Sequence, residues 1–293
     1  MRRILFVTLV IAALLLSACG STPEPAQAPA AQPTQVPDPT AAPAGLSGKL
    51  SLAGSTTVQP LAEVLAEAFM EMYPDVVIEV QGGGSSVGVT SAGEGTVDIG
   101  MASRAIKSSE MDTFPDLQVF TIARDGIAIV TNPGIELPSL SIDQVASIFA
   151  GEITNFSEVG GPDAPITVVS REEGSGTRAA FEELVMEAGD EEKVISENAL
   201  LQQSNGQVRT TVSTTPNTIG YLSFGFLDDS TQPVPIDGVE PTVDNVKNDS
   251  YPIARPLNML TKGAPNDLAQ AFLDFILSDA GQEIVAEDYI SIQ

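Results

Sequence analysis

Three short segments, Gly54-Ser55-Thr56, Gly84-Ser85-Ser86 and Gly174-Ser175-Gly176-Thr177, share one local design. In each, a strand is expected to end, glycine and small hydroxyl residues turn the chain, and a helix begins. A helix N-terminus carries free backbone N–H groups and a partial positive charge, which together attract an oxyanion. Glycine lets the backbone come close, and the Ser and Thr hydroxyls add further donors. One such segment is an ordinary capped helix start; three in one chain favour a shared anion. Arg171 stands at the end of an expected strand, three residues before the third turn, where its guanidinium could fork onto the same anion. A surface pair with Glu172 or Glu173 is the competing reading. Arg178 has Glu182 four residues on and is expected to pair within its helix.

What the chain lacks narrows the chemistry further. Histidine is absent, which removes the usual general base and the commonest metal ligand. Cysteine occurs once, so neither a Cys/His zinc cluster nor an intramolecular disulfide can be drawn. A secreted hydrolase using Ser175 or Ser85 as nucleophile is the enzymatic alternative, but no lysine flanks either serine to replace the missing base. No enzyme activity and no cofactor are expected. With 39 Asp and Glu against 13 Lys and Arg, a net charge of −26, nucleic acid is not an expected partner. The far field repels anions as well, so an anion site here must act through short-range hydrogen bonds and oriented dipoles.

The elements that would position these residues alternate strand and helix. Lys49–Ala53 alternates as a strand, Val58–Met72 carries an apolar stripe at helical spacing, and Val76–Val80 is a second strand. The glycine-rich turn at 81–86 leads to a short helix, and Thr96–Met101 to a third strand. Val119–Ala123 and Gly126–Thr131 read as two further strands. Ser141 and Gln144 have the spacing of a capping box for a helix to Phe149, with Gly151 as its C-cap. Beyond it the pattern predicts strands at Ile166–Val169, Thr218–Ser223 and Gln232–Ile236, an extended stretch at Tyr251–Thr261, and helices at Thr177–Glu187, Asp267–Leu277 and Ala280–Ala286. This is an α/β chain with a largely parallel sheet.

The N-terminus reads as a targeting segment. Met1, Arg2 and Arg3 precede an apolar run from Ile4 to Leu16, the pattern of a secretory signal over residues 1–18. Leu16-Ser17-Ala18-Cys19 resembles a bacterial lipobox, so Cys19 is expected to be lipidated. Residues 19–47 are rich in Pro, Ala, Gln and Thr and form a linker, reaching on the order of 80 Å if extended. The chain is therefore expected to work outside the cytoplasm, touching the cell membrane through its lipid anchor only.

The order of motifs carries a resemblance. Ala53-Gly54-Ser55-Thr56-Thr57-Val58-Gln59-Pro60-Leu61, Gln81–Ser86 and Asp98–Arg104 look like successive motifs of the phosphate-binding proteins of phosphate-specific ABC transporters. So do Ile148–Phe156, Arg171–Thr177, Ile219–Ser223 and Tyr251–Leu257. The similarity runs in order from about Leu50 to Val285. It implies a two-lobed type 2 periplasmic-binding-protein fold with a two-strand hinge, lobe 1 being 48–125 plus 251–293 and lobe 2 being 126–250. It also implies an extracytoplasmic, monomeric protein that captures inorganic phosphate and delivers it to the permease subunits of an ABC importer. Another tetrahedral oxyanion such as sulfate or arsenate, or a sensor or adhesin that has kept the clamp, are the alternatives.

Carried over by position, the resemblance implies ligand contacts from Ser55, Thr56, Ser85 and Ser103 in the first lobe and from Arg171, Ser175, Gly176 and Thr177 in the second. Many members place an aspartate directly after the serine at position 103, where it accepts the proton of bound phosphate and rejects sulfate. Here that position is Arg104. Two readings stay open: Arg104 approaches the anion as a second guanidinium, or it pairs with a carboxylate such as Asp98 or Asp125.

Overall fold

The computed structural model describes residues 45–189 and 192–293. The expected leader, the lipidation at Cys19 and the linker up to residue 44 lie outside the described residues. Among the described residues no helix is long and apolar enough to cross a membrane.

In chain order the elements are β1 (Gly48–Gly54), α1 (Val58–Met72), β2 (Val76–Gln81), α2 (Ser85–Glu94), β3 (Ile99–Ala102), α3 (Ser108–Thr113) and β4 (Leu117–Thr131). There follow α4 (Ile142–Ala150), β5 (Thr167–Arg171), α5 (Gly176–Phe181), β6 (Leu200–Gln202), α6 (Asn205–Thr214), β7 (Thr218–Ser223) and β8 (Gln232–Val234). The chain closes with α7 (Val243–Lys247), β9 (Ala254–Lys262), α8 (Asp267–Leu277) and α9 (Asp279–Asp288). Apolar spacing explains the long helices. In α1, Val58, Leu61, Ala62, Leu65, Ala66 and Phe69 form one buried stripe, and the helix stops at Tyr73, before Pro74. Ser141 and Gln144 cap α4 reciprocally, and Gly151 ends it in the left-handed conformation, as their spacing predicts.

The strands follow the order β2-β1-β3-β9-β4-β7-β5-β6, with β8 on β4. The outer pairs β1–β2, β1–β3, β5–β6 and β5–β7 are parallel, while the central pairs through β4 and β9 are antiparallel. Two large hydrophobic cores sit on this path, with a smaller cluster of Val89, Ala92, Ala102, Leu117 and Leu260 beside them. The first gathers Leu50, Leu52, Leu65, Phe69, Met259 and Phe272. The second gathers Ile129, Phe149, Phe181, Val208 and Tyr221, and it also takes Tyr251 and Ile253. Phe181 and Tyr221 stack at 4.1 Å within it.

Several elements differ from the sequence expectation. The two strands expected between 119 and 131 are one strand, β4. Arg124, Asp125 and Gly126 interrupt the apolar pattern, but Asp125 is buried with Arg255 opposite it in the β4–β9 register, so pairing runs through the charged step. Strand β3 starts at Ile99 rather than Thr96, because α2 extends to Glu94 and Gly95 ends it in the left-handed conformation. The helix expected at Thr177–Glu187 is α5 followed by a wider π-type turn over Glu182–Met186. The helices α3, α6 and α7 and strand β6 are additions. In α6 only Val208 and Val212 among its large apolar positions face inward, too thin a stripe to stand out among threonines.

Candidate functional site

Strands β1 and β3 and helix α2 meet so closely that side chains are excluded between them. A Cβ on Gly54, whose φ is +138°, would fall 2.3 Å from the Met101 carbonyl oxygen and 2.7 Å from Gly88 Cα. This contact draws together the residues that follow each element. Ser55 Oγ accepts from the amides of Thr57 (3.1 Å) and Val58 (3.3 Å) and donates to Ser103 Oγ at 2.9 Å. Ser85 Oγ accepts from the Ser103 amide at 2.9 Å and lies 3.4 Å from Ser103 Oγ. Three serines from three elements thus form one buried cluster at the C-terminal ends of β1 and β3, with the start of α2. That is where parallel α/β sheets bind their ligands.

The second core presents its own donors to this cluster. Ser175 caps α5 by accepting from the Arg178 amide at 3.3 Å, which aims the leading amides of α5 outward. Gly176 packs directly over the serines: a Cβ there would fall 2.1 Å from Ser85 Oγ and 2.5 Å from Ser103 Oγ. Thr177 Oγ1 lies 3.0 Å from Thr57 Oγ1. Arg171, 1% exposed, leaves the end of β5, where its amide donates to the Tyr221 hydroxyl at 3.2 Å. Burial pushes that hydroxyl up to about 12, so it stays protonated; it shares a 2.8 Å hydrogen bond with Ser170 Oγ.

Arg171 combines the two readings open at the sequence level. Its Nε and Nη2 donate to the Glu172 carboxylate at 2.9 and 3.0 Å, while Nη2 reaches Thr56 Oγ1 at 3.1 Å and Nη1 reaches Thr177 Oγ1 at 3.5 Å. The pair with Glu172 exists, with its arginine buried and its carboxylate partly exposed. Arg178 does pair with Glu182, at 2.8 Å.

Arg104 pairs with a carboxylate, as the second reading has it, but the partner is Glu110 rather than Asp98 or Asp125. Its guanidinium makes a two-pronged bond to Glu110 at 2.8 and 2.7 Å and donates to the Ala105 carbonyl at 2.9 Å; it meets neither Asp98 nor Asp125. Its hydrogen bonds do not reach the serine cluster either. Six residues on, α3 offers a carboxylate that no local spacing rule singles out. Burial works to raise the Glu110 carboxyl, but the Arg104 and Lys107 hydrogen bonds and charges outweigh it and hold the group below its ordinary 4.5. Arg104, Lys107, Arg178 and Ser175 line a pocket of about 230 Å³ beside the cluster. A larger depression of about 450 Å³, lined by residues such as Ile148, Ile153 and Val168, includes no charged side chain and lies away from this chemistry.

Sequence reasoning missed the polar residues that hold Thr57 from behind. Thr57 Oγ1 accepts from Asn205 Nδ2 at 2.8 Å and from Arg255 Nη2 at 3.4 Å. Asn205 Oδ1 in turn accepts from the Ser223 amide at 3.3 Å, which fixes the orientation of the amide group. Asp125 Oδ1 accepts from Ser223 Oγ (3.0 Å) and the Phe224 amide (3.2 Å), and its Oδ2 accepts from Arg255. Burial raises the Asp125 carboxyl and lowers the Arg255 guanidinium, each opposed by the charge of the other. Arg255 belongs to a motif that the sequence flagged, yet nothing in the spacing assigned it a task.

Hydrogen bonding also fixes which way the hydroxyls point. Asn205 and Arg255 can only donate to Thr57 Oγ1, so the Thr57 proton goes to Thr177. Thr177 Oγ1 then accepts from Thr57 and Arg171, and its own proton is left for an acceptor in the cleft. Among the described residues no carboxylate hydrogen-bonds to Ser55, Ser85, Ser103 or Thr177. The arrangement suits a compact, oxygen-rich anion that accepts from all sides.

Known proteins share this frame. A PBP superfamily domain profile matches residues 39–280. The phosphate-binding protein PstS of Bacillus subtilis is 37% identical over 243 residues, spanning 83% of this chain and 79% of that protein. A substrate-binding protein from Clostridium perfringens, solved with bound phosphate, is 43% identical with a TM-score of 0.79, covering 84% of this chain and 100% of that one. An ABC-type phosphate transport receptor from Vibrio cholerae is 34% identical with a TM-score of 0.70, covering 82% and 99%.

Proposed function

As this chain belongs to the PBP superfamily, and within it to the phosphate-binding protein family, we propose that it captures inorganic phosphate in the cleft between its two cores and delivers it to an ABC importer. One observation carries the reading: donors from the two cores meet, with Gly176 packed on Ser85 and Ser103, Thr177 on Thr57, and Arg171 on Thr56, next to Ser55 of the same serine cluster. Thr56 joins them through Arg171, and Ser175 shapes the leading turn of α5. A dehydrated tetrahedral anion would satisfy those donors despite the acidic surface, because each acts at hydrogen-bond range.

The two lobes of the clamp are 48–125 with 251–293, and 126–250. The hinge is the pair of crossing strands, where β4 leaves β9 after Gly126 and joins β7. Closure would seat Gly176 on the serines, and an anion bridging both sides favours the closed state. The clamp works as a monomer, because its lobes must move freely, and is held at the membrane by a lipid on Cys19.

The reading involves no bond making. Ser85 Oγ and Ser175 Oγ are acceptors for backbone amides, and among the described residues neither is joined to a lysine or a carboxylate that would activate it. That no carboxylate among the described residues accepts in the cluster also favours a second reading, a general receptor for tetrahedral dianions. Calorimetric titration of the anion-stripped mature chain with phosphate and with sulfate separates the two. Phosphate at micromolar Kd or tighter, about −8 kcal/mol, with sulfate a hundredfold weaker supports a phosphate-specific clamp. Comparable binding makes it a general oxyanion receptor, and binding of neither ends the proposal.

A further inference from the structure

Two of the buried arginines, Arg171 and Arg255, are built alike. Arg171 gives its Nε–Nη2 edge to a carboxylate, Glu172, and sends Nη2 on to Thr56 at the start of α1. Arg255 gives the same edge to Asp125, at 3.1 and 2.8 Å, and sends Nη2 on to Thr57, the next residue. In Arg171 the remaining nitrogen, Nη1, faces Thr177. In Arg255, which is 3% exposed, Nη1 is buried and has no hydrogen-bond partner among the described residues. Its placement follows from the planar fork. With the carboxylate on the Nε–Nη2 edge, Nη1 lies at the same end of the guanidinium as the Nη2 proton that reaches Thr57. A buried donor without an acceptor is costly unless an acceptor arrives.

We propose that Arg255 is the second guanidinium of the anion site, loading Thr57 through Nη2 and holding Nη1 for the bound oxyanion or for a water upon it. The inference rests on the phosphate reading above and deepens it. The sequence offers a second arginine at position 104, but that group is committed to Glu110; the fold supplies one from β9 instead. Asp125 fixes the fork from the opposing strand, and Ser223 and the Phe224 amide hold Asp125 in turn. The cation thus stands on the strand pair that crosses between the cores, so ligand contact and hinge share one side chain. A doubly charged tetrahedral anion, with four oxygens to satisfy, is the ligand class for which such a pair of guanidinium groups is suited.

Removing Arg255 alone would strand Asp125, so the test pairs Asp125→Asn with Arg255→Gln, which keeps the packing and a neutral hydrogen bond across the strands. A second variant, Arg255→Lys, keeps the charge but loses the fork. Phosphate affinity is measured by calorimetry, and the melting temperature of each anion-stripped variant is recorded beside it. The expected result is a wild type that binds phosphate and a folded double variant that binds at least about tenfold more weakly. The lysine variant is expected to fall between them, since one ammonium held by Asp125 cannot serve Thr57 and the anion together. Folded variants that bind phosphate within about twofold of wild type would overturn the role of Arg255 while leaving the phosphate reading intact. If the double variant does not fold, the lysine variant decides by the same criterion. A wild type that binds no phosphate would overturn the underlying reading itself.

Discussion

Thr57 Oγ1 and Thr177 Oγ1 meet at 3.0 Å across the cleft, although 120 positions separate them in the chain. Thr57 is already loaded by two donors, so the pair has a direction, and Thr177 is left to donate to the ligand. Thr177→Val should therefore weaken phosphate binding by about tenfold to a hundredfold, the worth of a hydrogen bond to a charged group at about 1.5–3 kcal/mol. Titration calorimetry reads this directly, and an unchanged Kd would mean that the Thr177 hydroxyl does not face the anion.

Gly176→Ala tests closure. The added methyl would overlap Ser85 Oγ and Ser103 Oγ, at 2.1 and 2.5 Å, and the clash is relieved if the lobes part. The variant should fold with a near-normal melting temperature and lose most phosphate affinity. Small-angle scattering should show no phosphate-induced compaction. Full compaction by the variant would place the closed contact elsewhere.

Arg171→Lys keeps a charge but cannot brace Glu172 while reaching Thr56 and Thr177. A loss of about 2–5 kcal/mol in phosphate binding is expected, as for truncation of a buried, hydrogen-bonded charge. Binding kinetics should show it mainly as faster release.

Arg104→Ala should change phosphate affinity only within about threefold, because the guanidinium is taken up by Glu110 and the Ala105 carbonyl. Its signature belongs to acid stability. The Glu110 carboxyl is held below its ordinary value of 4.5, so the folded protein releases that proton more readily than the unfolded chain. The resulting stabilisation is present above 4.5 and is lost as pH falls through the lowered value. Melting temperatures of wild type and variant should therefore differ at neutral pH and converge on acidification. Parallel curves would show that Glu110 is held by other groups.

Much of this protein was legible locally. Helix α1 runs over the predicted residues because its stripe repeats at helical spacing, and Ser141 with Gln144 caps α4 because a capping box is a three-residue relationship. The glycine and hydroxyl turns before α1, α2 and α5 were visible for the same reason: glycine, hydroxyl and helix start lie within four residues. Arg178 pairing with Glu182 is an i,i+4 contact and was equally visible.

Contacts between distant residues were settled by the tertiary structure. Arg104 found a carboxylate in the first turn of α3, Glu110, rather than the Asp98 or Asp125 that the sequence offered as examples. Asp125 and Arg255 are 130 positions apart and meet only because β4 and β9 pair in that register; a one-residue slip would put them on opposite faces. Asn205 reached Thr57 from a helix whose thin apolar stripe gave no warning. Periodicity and capping report interactions within a turn or two of the chain, so the sequence alone determined which groups were equipped to hold an anion. Which of those groups meet, and which arginine comes to stand beside Thr57, depended on sheet register and on the seating of one core against the other.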